Sequence, residues 1–106
     1  MQSFSPKVDL ETVTLTLDFS ELLDPNEDIE AGKCVMADQH GLDVSTTMLI
    51  SDLDISTAPL VRARVKGGLG GKTYIFQAFV NTTAGRVLVG MAKLPVQPAA
   101  FPQDVN

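Results

Sequence analysis

The stretch from Leu60 to Val96 most constrains the fold of this chain, because it reads as three β-strands joined by two turns that contain glycine. The first strand alternates apolar and basic residues: Val61, Ala63 and Val65 against Arg62, Arg64 and Lys66. The second carries apolar residues on both faces: Tyr74, Phe76, Ala78 and Val80 on one, Ile75, Gln77 and Phe79 on the other. Successive side chains of a strand point to opposite faces, so this second strand is predicted to be central, with a neighbour on each side. Gly85 can supply the positive φ that the second turn requires.

The upstream sequence must supply partners for this meander, and its alternation predicts further strands. From Glu11 to Phe19, β-branched threonines face one side and large apolar residues face the other. Ile29–Ala37 is predicted to be a second strand, and alternation over Leu42–Met48 and Ser51–Ser56 predicts two more. Six or seven strands without a long helix indicate an all-β fold, an antiparallel β-sandwich of about seven strands, with a small β-barrel as the alternative.

The length of 106 residues predicts one domain. We divide it into an N-terminal arm or short edge segment (1–10), the sandwich (11–96) and an extended C-terminal tail (97–106) that contains two prolines. The first residues show no basic segment followed by an apolar one, and no stretch is long and apolar enough to span a bilayer. The sequence therefore predicts neither a signal peptide nor contact with a membrane.

Charge is distributed unevenly along the chain, whose net charge is −5. Residues 1–54 hold twelve acids and two bases, whereas residues 55–106 hold one acid and six bases. The two halves therefore carry net charges of −10 and +5. Two interpretations stay open: a dipolar surface that docks on copies of itself or on a partner, or pairing of the two halves within one fold.

Three patterns resemble chemical motifs but lack a required part. The segment Gly67–Thr73 resembles a phosphate-binding loop, but Lys66 stands where the first glycine is required and a strand follows instead of a helix. The acids between residues 24 and 30 lack the ordered pattern of a calcium loop. The third pattern is a possible catalytic pair of Cys34, the single cysteine, with His40. Cys34 is instead predicted to be a small buried hydrophobe, and His40 is predicted to lie in an exposed turn closed by glycine. These patterns predict a protein that is not an enzyme and has no cofactor or metal.

The strongest candidates for partner contact are basic residues. Arg62, Arg64 and Lys66 share one face of a predicted strand. This stripe lacks interleaved exposed aromatic residues and the chain as a whole is acidic, which disfavours nucleic acid as its ligand. An acidic neighbour, or the acidic half of the same chain, fits the stripe better. Arg86, in the second turn, joins these three as a fourth candidate contact, together with the two termini.

Two blocks of the sequence carry a recognisable pattern. The first reads Leu-Thr-Leu-Asp-Phe-Ser-Glu-Leu-Leu at 15–23, then Asp-Ile-Glu-Ala at 28–31 and Gly-Leu-Asp-Val at 41–44. The second, from 67 to 96, combines a Gly-Gly-Leu-Gly-Gly loop, a Thr-Tyr strand, a Thr-Thr-Ala-Gly-Arg turn and a closing strand. Together they resemble a family of small bacteriophage virion proteins, the fibre–tail adaptors. Apolar residues stand where that family has tryptophans: Phe19, Leu22 and Cys34.

The resemblance covers residues 12–96 and implies an immunoglobulin-like sandwich that links fibres or spikes to a phage tail, without a catalytic site. It implies other virion proteins as partners (the tail body, portal-proximal proteins or fibres), together with copies of the same chain in a symmetric assembly. It also implies a place in the virion tail after synthesis in the host cytoplasm. Two alternatives stay open: a capsid decoration or cement protein, and a carbohydrate-binding module. With no Trp and one Tyr, the chain is poorly equipped for the second.

Overall fold

A computed structural model describes residues 2–98, so residues 99–106 of the predicted C-terminal tail lie outside the described residues. Seven strands and one short helix follow each other along this part of the chain. They are β1 (Gln2–Ser3), β2 (Lys7–Val8), β3 (Val13–Asp18), β4 (Ile29–Ala37), α1 (Ser45–Met48), β5 (Leu60–Val65), β6 (Thr73–Thr82) and β7 (Val87–Gln97). Within residues 2–98, no helix is long and apolar enough to cross a membrane.

The strands form two sheets. In the larger one the order is β1, β7, β6, β4, and β2 also pairs with β7. The central strand β6 runs antiparallel to both β4 and β7, whereas β1 and β2 run parallel to β7. The smaller sheet pairs β3 with β5, and an isolated bridge joins Asp54 to Arg62 on the other side of β5. This distribution of successive strands over two sheets is that of an immunoglobulin-like β-sandwich, which confirms the predicted fold class.

The core lies between the sheets and consists of the alternating apolar faces read from the sequence. Leu15 and Leu17 of β3 are buried, and so are Val61, Ala63 and Val65 of β5. Every second residue of β6 and of the C-terminal half of β7 completes the layer: Tyr74, Phe76, Ala78, Val80, Ala92, Leu94 and Val96. β6 lies between β4 and β7, which confirms its central position.

The interpretation of Leu42–Met48 as a strand is wrong. Ser45–Met48 forms a single helical turn, and only isolated bridges flank it, from Asp43 to Ala37 and from Leu49 to Val65. Local side-chain hydrogen bonds favour this turn, since Asp43 Oδ1 accepts from the Ser45 N–H at 2.8 Å and the Thr47 hydroxyl donates to the Val44 carbonyl at 2.9 Å. Short polar side chains of this kind compete with a strand ladder for the backbone.

The predicted strand Ser51–Ser56 is also wrong, because in this segment only Asp54 makes a bridge. The alternation nevertheless identifies correctly which side chains of the segment face the core. Leu53 is buried and Ile55 is half-buried, and both contact the position of Gly32, where an added Cβ would lie 2.9 Å from Leu53 Cδ2. The segment therefore covers one edge of β5 as an irregular chain that is held by packing and by the backbone hydrogen bonds between Asp54 and Arg62.

The N-terminal arm is built onto the edge of the sandwich. Phe4 N donates to the Lys93 carbonyl at 2.9 Å, and its ring packs edge-on against Phe76 with 6.1 Å between ring centroids. Lys7 is buried, and its ammonium donates to the carbonyls of Val8 and Gly67, each at 2.8 Å. Burial lowers the pKa of Lys7, but these carbonyls solvate its charge. Lys7 thereby ties the arm to the glycine-rich loop.

Candidate interaction surfaces

The cationic stripe, which we define as Arg62, Arg64 and Lys66, lies on the outer face of the smaller sheet. β5 places the first two directly across from Thr16 and Thr14 of β3. Arg64 and Lys66 are exposed and Arg62 is half-buried. Alternate residues of a strand are roughly 7 Å apart, so the three charges form a row with a spacing suited to an extended acidic surface.

The backbone of β5 fixes this row on both sides. On the side away from β3, Asp54 N donates to the Arg62 carbonyl at 2.7 Å and Ile50 N donates to the Arg64 carbonyl at 3.0 Å. The Arg62 guanidinium donates to the Thr57 hydroxyl at 3.3 Å. Hydrogen bonds from Ser56 are the main cause that lowers the pKa of Asp54, and the charge of Arg62 contributes less. A carboxylate therefore flanks one end of the stripe.

Arg86 differs from the residues of the stripe in that it forms ion pairs with described acids. All ion pairs found among residues 2–98 involve Arg86, which contacts Glu27 and, at 3.7 Å, Asp24. Among the described residues, the ion pairs that join the acidic half of the chain to the basic half are therefore those of Arg86. The three cations of the stripe make no such pair with a described acid, which leaves their charge directed to the surface.

The contacts of Arg86 form a clasp between the turn after β6 and the loop before β4. Its Nε donates to Glu27 Oε2 at 2.8 Å, its Nη2 contacts Glu27 Oε1, and Nη2 also donates to the Leu22 carbonyl at 3.0 Å. Glu27 is buried and accepts two further hydrogen bonds, from the Thr82 hydroxyl at 2.6 Å and from Asp24 N at 2.8 Å. The structure thus engages the Arg86 guanidinium with groups of the protein itself.

The clasp holds a buried charge. Hydrogen bonds from Arg86 lower the pKa of Glu27 to about 2, and bonds from Asp24 N and from Thr82 act in the same direction. The carboxylate is therefore ionised across the physiological range. Each of its oxygens has at least two partners, which is the arrangement that a buried carboxylate needs.

Cys34 and His40 lie in different surroundings. The Cys34 side chain is half-buried beside Leu49, Ile50 and Asp52 in a shallow groove of about 420 Å³. Burial, and then the charge of Asp52, raise the pKa of the thiol to about 11. His40 is exposed in a turn where its N–H donates to Asp38 Oδ1 at 2.8 Å and Gly41 has a φ of +85°, which confirms the predicted turn. No group of three metal-ligating side chains occurs among residues 2–98.

We expect Cys34 to react slowly with iodoacetamide. The thiolate is the reactive form, and a pKa of about 11 leaves only a small fraction ionised at pH 8. At that pH the folded protein should be alkylated at least roughly tenfold more slowly than the urea-unfolded chain, as measured by mass spectrometry over time. Equal rates in the folded and unfolded chain would contradict the buried environment that we describe.

The larger sheet presents an apolar strip that our sequence interpretation missed. Three outward-facing residues of β7 are exposed: Val87, Val89 and Met91. They lie beside Asn81, Phe79 and Gln77 of β6 in the ladder. The signal was present in the sequence, because β7 has apolar residues on both faces as β6 does. Their exposure depends on which strands cover this flank, and that is a property of the fold.

The glycine-rich loop has a structural role in the described chain. Tyr74 accepts the Leu69 N–H on its hydroxyl at 2.9 Å, and Gly67 accepts the Lys7 ammonium. At Gly70 an added Cβ would lie 2.7 Å from Pro98 Cα, so glycine leaves room for the chain that follows β7. The loop leads directly into strand β6, as expected.

Comparisons with known proteins identify one matching family and one similar solved structure. A family model described as "Podophage GP4 fiber-tail adaptor protein gp77" matches residues 7–95. No match was found among curated proteins. Among solved structures, the solution structure of the PKD domain from KIAA 1837 protein is similar, with 19% identity, a TM-score of 0.43, and coverage of 92% of this chain and 86% of that chain.

Proposed function

Because the chain belongs to the Podophage GP4 fiber-tail adaptor protein gp77 family, we propose that it is a structural adaptor that links fibres or spikes to the phage tail. The observation that carries this proposal is the family match over residues 7–95, which runs from the start of β2 to Pro95 of β7. The role is non-enzymatic: the protein acts by holding partners in a fixed geometry and needs no cofactor, nucleic acid or membrane. Its place is the virion tail, after synthesis in the host cytoplasm.

The cationic stripe is the contact that we propose for an acidic partner surface. Three cations in a row, without an ion pair to a described acid, favour a complementary row of carboxylates. Such contacts select a partner and its orientation more than they add affinity, and they weaken at high salt. The partners are the tail body, portal-proximal proteins or fibres, with further copies of the chain arranged around them.

The parts of the chain divide this role between them. The sandwich, residues 11–96, carries the stripe, and the described part of the arm, residues 2–10, extends one of its edges. The tail, residues 97–106, is a further proposed contact on the basis of its sequence. Arg86 was predicted with the stripe, and we now propose that it serves the clasp with Glu27 instead of a partner.

Immunogold electron microscopy of purified particles tests the proposed place, and a charge reversal tests the proposed contact. Antibody label at the tail is expected. Reversal of the stripe (Arg62→Glu, Arg64→Glu, Lys66→Glu) should reduce the fraction of particles that carry fibres at least roughly tenfold, because like charges then face each other.

The matched control reverses three other exposed cations: Lys33→Glu, Lys72→Glu and Lys93→Glu. It makes the same change in net charge and should leave attachment unchanged, provided that both variants melt like the parent protein. Equal attachment in the two variants would reject the stripe as the contact. Label over the head would identify a decoration protein, and particles without label would direct attention to the carbohydrate-binding alternative.

A further inference from the structure

The outer edge of β7 is only half covered. β1 pairs with it at Ala92 and Lys93, and β2 pairs at Val96 and Gln97. Upstream, the five residues Val87–Met91 have a partner strand only on the β6 side among residues 2–98. An edge already used for strand pairing therefore continues, without interruption of its register with β6, into an open half.

The backbone groups at this open half can be assigned from the hydrogen bonds further along β7. The carbonyls of Lys93 and Gln97 accept from the arm, whereas Val96 N donates to Lys72 on the opposite side. Backbone groups alternate in direction along a strand, so odd-numbered residues of β7 point to the arm side and even-numbered residues point to β6. Val87 and Val89 thus direct their N–H and C=O groups to the open edge.

The side chains of this edge lack the devices that normally protect one. Val87, Val89 and Met91 are exposed by 63%, 46% and 40%, and residues 87–91 include neither a charge nor a proline. Edge strands usually carry lysine, proline or a bulge, which prevent the addition of another chain. An apolar strand edge without these devices is open to the addition of another strand.

A groove beside this edge has an apolar floor and an acidic rim. Its volume is about 230 Å³, and its apolar lining includes the buried Phe19 and the exposed Leu22 and Met91. Phe19 packs closely on Gly90, where an added Cβ would lie 2.9 Å from its ring. The charged residues that line it are Asp18 and Glu21, and both are exposed acids. The groove therefore favours a cationic side chain with an apolar stem.

We propose that the open half of the β7 edge is a strand-addition site for an extended basic segment of a partner protein. The segment runs parallel to β7, in line with β1, with apolar side chains at alternate positions. A basic residue at its C-terminal end lies at Asp18 and Glu21. Backbone hydrogen bonds to Val87 and Val89 supply affinity, and the groove supplies selectivity. The identification of the partner as a virion protein rests on the proposed function, but the site itself does not.

The charge of the groove selects a partner of another kind over a second copy of this chain. The segment 97–106 contains one acid and no base, so it does not complement Asp18 and Glu21. The cationic strand of this chain, β5, is already paired with β3. We therefore assign the basic, strand-forming segment to a different protein.

Amide hydrogen exchange followed by NMR tests this site on the full chain. The probe is the synthetic peptide acetyl-Val-Thr-Val-Thr-Val-Arg-Arg-amide, and the matched control replaces both arginines with glutamates. The arginine peptide should slow exchange of the Val87 and Val89 amides roughly tenfold or more, because they become hydrogen-bonded. The amides of Leu88 and Gly90 point to β6 and should change little. The double variant Asp18→Asn, Glu21→Gln should bind the two peptides equally.

Each other outcome would overturn the proposal. If neither peptide slows hydrogen exchange of the Val87 and Val89 amides, the edge does not accept a strand. Peptide binding that shifts outer-face signals without protecting the Val87 and Val89 amides would indicate docking on the sheet face. Protection that rises with protein concentration alone would identify a second copy as the occupant. The experiment uses no virions, so its failure is distinct from a failure of the labelling experiment.

Discussion

The Arg86→Ala variant is expected to melt roughly 10 °C or more below the parent protein, because it leaves the buried carboxylate of Glu27 without its cation. Glu27 is the buried member of this pair and Arg86 is the exposed one, so removal of Arg86 leaves an uncompensated charge inside the protein. The Leu22 carbonyl also loses its donor. The loop before β4 is then no longer held to the turn after β6.

Two matched variants isolate the clasp. Arg64→Ala removes a guanidinium that is exposed and makes no ion pair with a described acid, so its melting temperature should stay within about 2 °C of the parent value. Arg86→Lys keeps the charge but cannot donate from Nε and Nη2 together, so an intermediate loss is expected. Thermal unfolding followed by circular dichroism measures all three. Similar melting of Arg86→Ala and Arg64→Ala would contradict the clasp.

The same clasp sets a pH dependence. The pKa of Glu27 is about 2 in the folded chain, against an ordinary value of 4.5. A carboxylate with a lowered folded pKa stabilises the protein fully above pH 4.5, and its contribution is lost as the pH falls from 4.5 to 2. The difference in stability between the parent and Glu27→Gln should therefore be constant from pH 7 to pH 5 and should shrink below pH 4.5.

The Phe76→Ala variant is expected to lose about 3–5 kcal/mol of unfolding free energy, measured by urea denaturation at pH 7. Phe76 lies at the centre of β6 without exposed surface, and the Phe4 ring packs edge-on against it. Its removal leaves a cavity between the two sheets and also loosens the N-terminal arm. Small domains have a total stability of about 5–15 kcal/mol, so this single change removes much of it.

Phe79→Ala is the control for this prediction, because it lies on the same strand but points outward. Its ring is half-buried under the Lys33 ammonium, 5.8 Å from the ring centroid. A loss of no more than about 1.5 kcal/mol is expected, from partial burial and one exposed cation–π contact. Equal losses in the two variants would mean that the face assignment of β6 is wrong.

The strands that could be predicted from the sequence are those whose alternating or two-faced apolar pattern corresponds to burial in the core. β4 begins and ends at the predicted residues, Ile29 and Ala37, and β6 was recognised as central because its apolar residues occur on both faces. The alternation of Leu42–Met48 misled, since Asp43 and Thr47 bond their own backbone locally and form a helical turn. Period-two patterns alone do not distinguish these outcomes.

The candidate site was predictable where one strand carries it and not where distant segments meet. The row Arg62, Arg64 and Lys66 needs only the geometry of β5 and of the residue that follows it. The partner of Arg86 is Glu27, which is separated from it by 59 positions, so the sequence does not reveal that this cation is already used. The open edge of β7 depends on how far β1 extends along it, and local patterns do not give that distance.

The parallel pairing of β1 and β2 with β7 has a mechanical consequence. The first described residue of the arm and the last residue of β7 lie at opposite ends of two adjacent strands that run in the same direction. Tension applied to these two points acts along the strands in shear. Hydrogen bonds such as Phe4 N to the Lys93 carbonyl and Asp9 N to the Gln97 carbonyl then resist the force together, instead of opening one after another. A sandwich joined to its neighbours through both ends of this chain would transmit a pull between them while keeping its core closed.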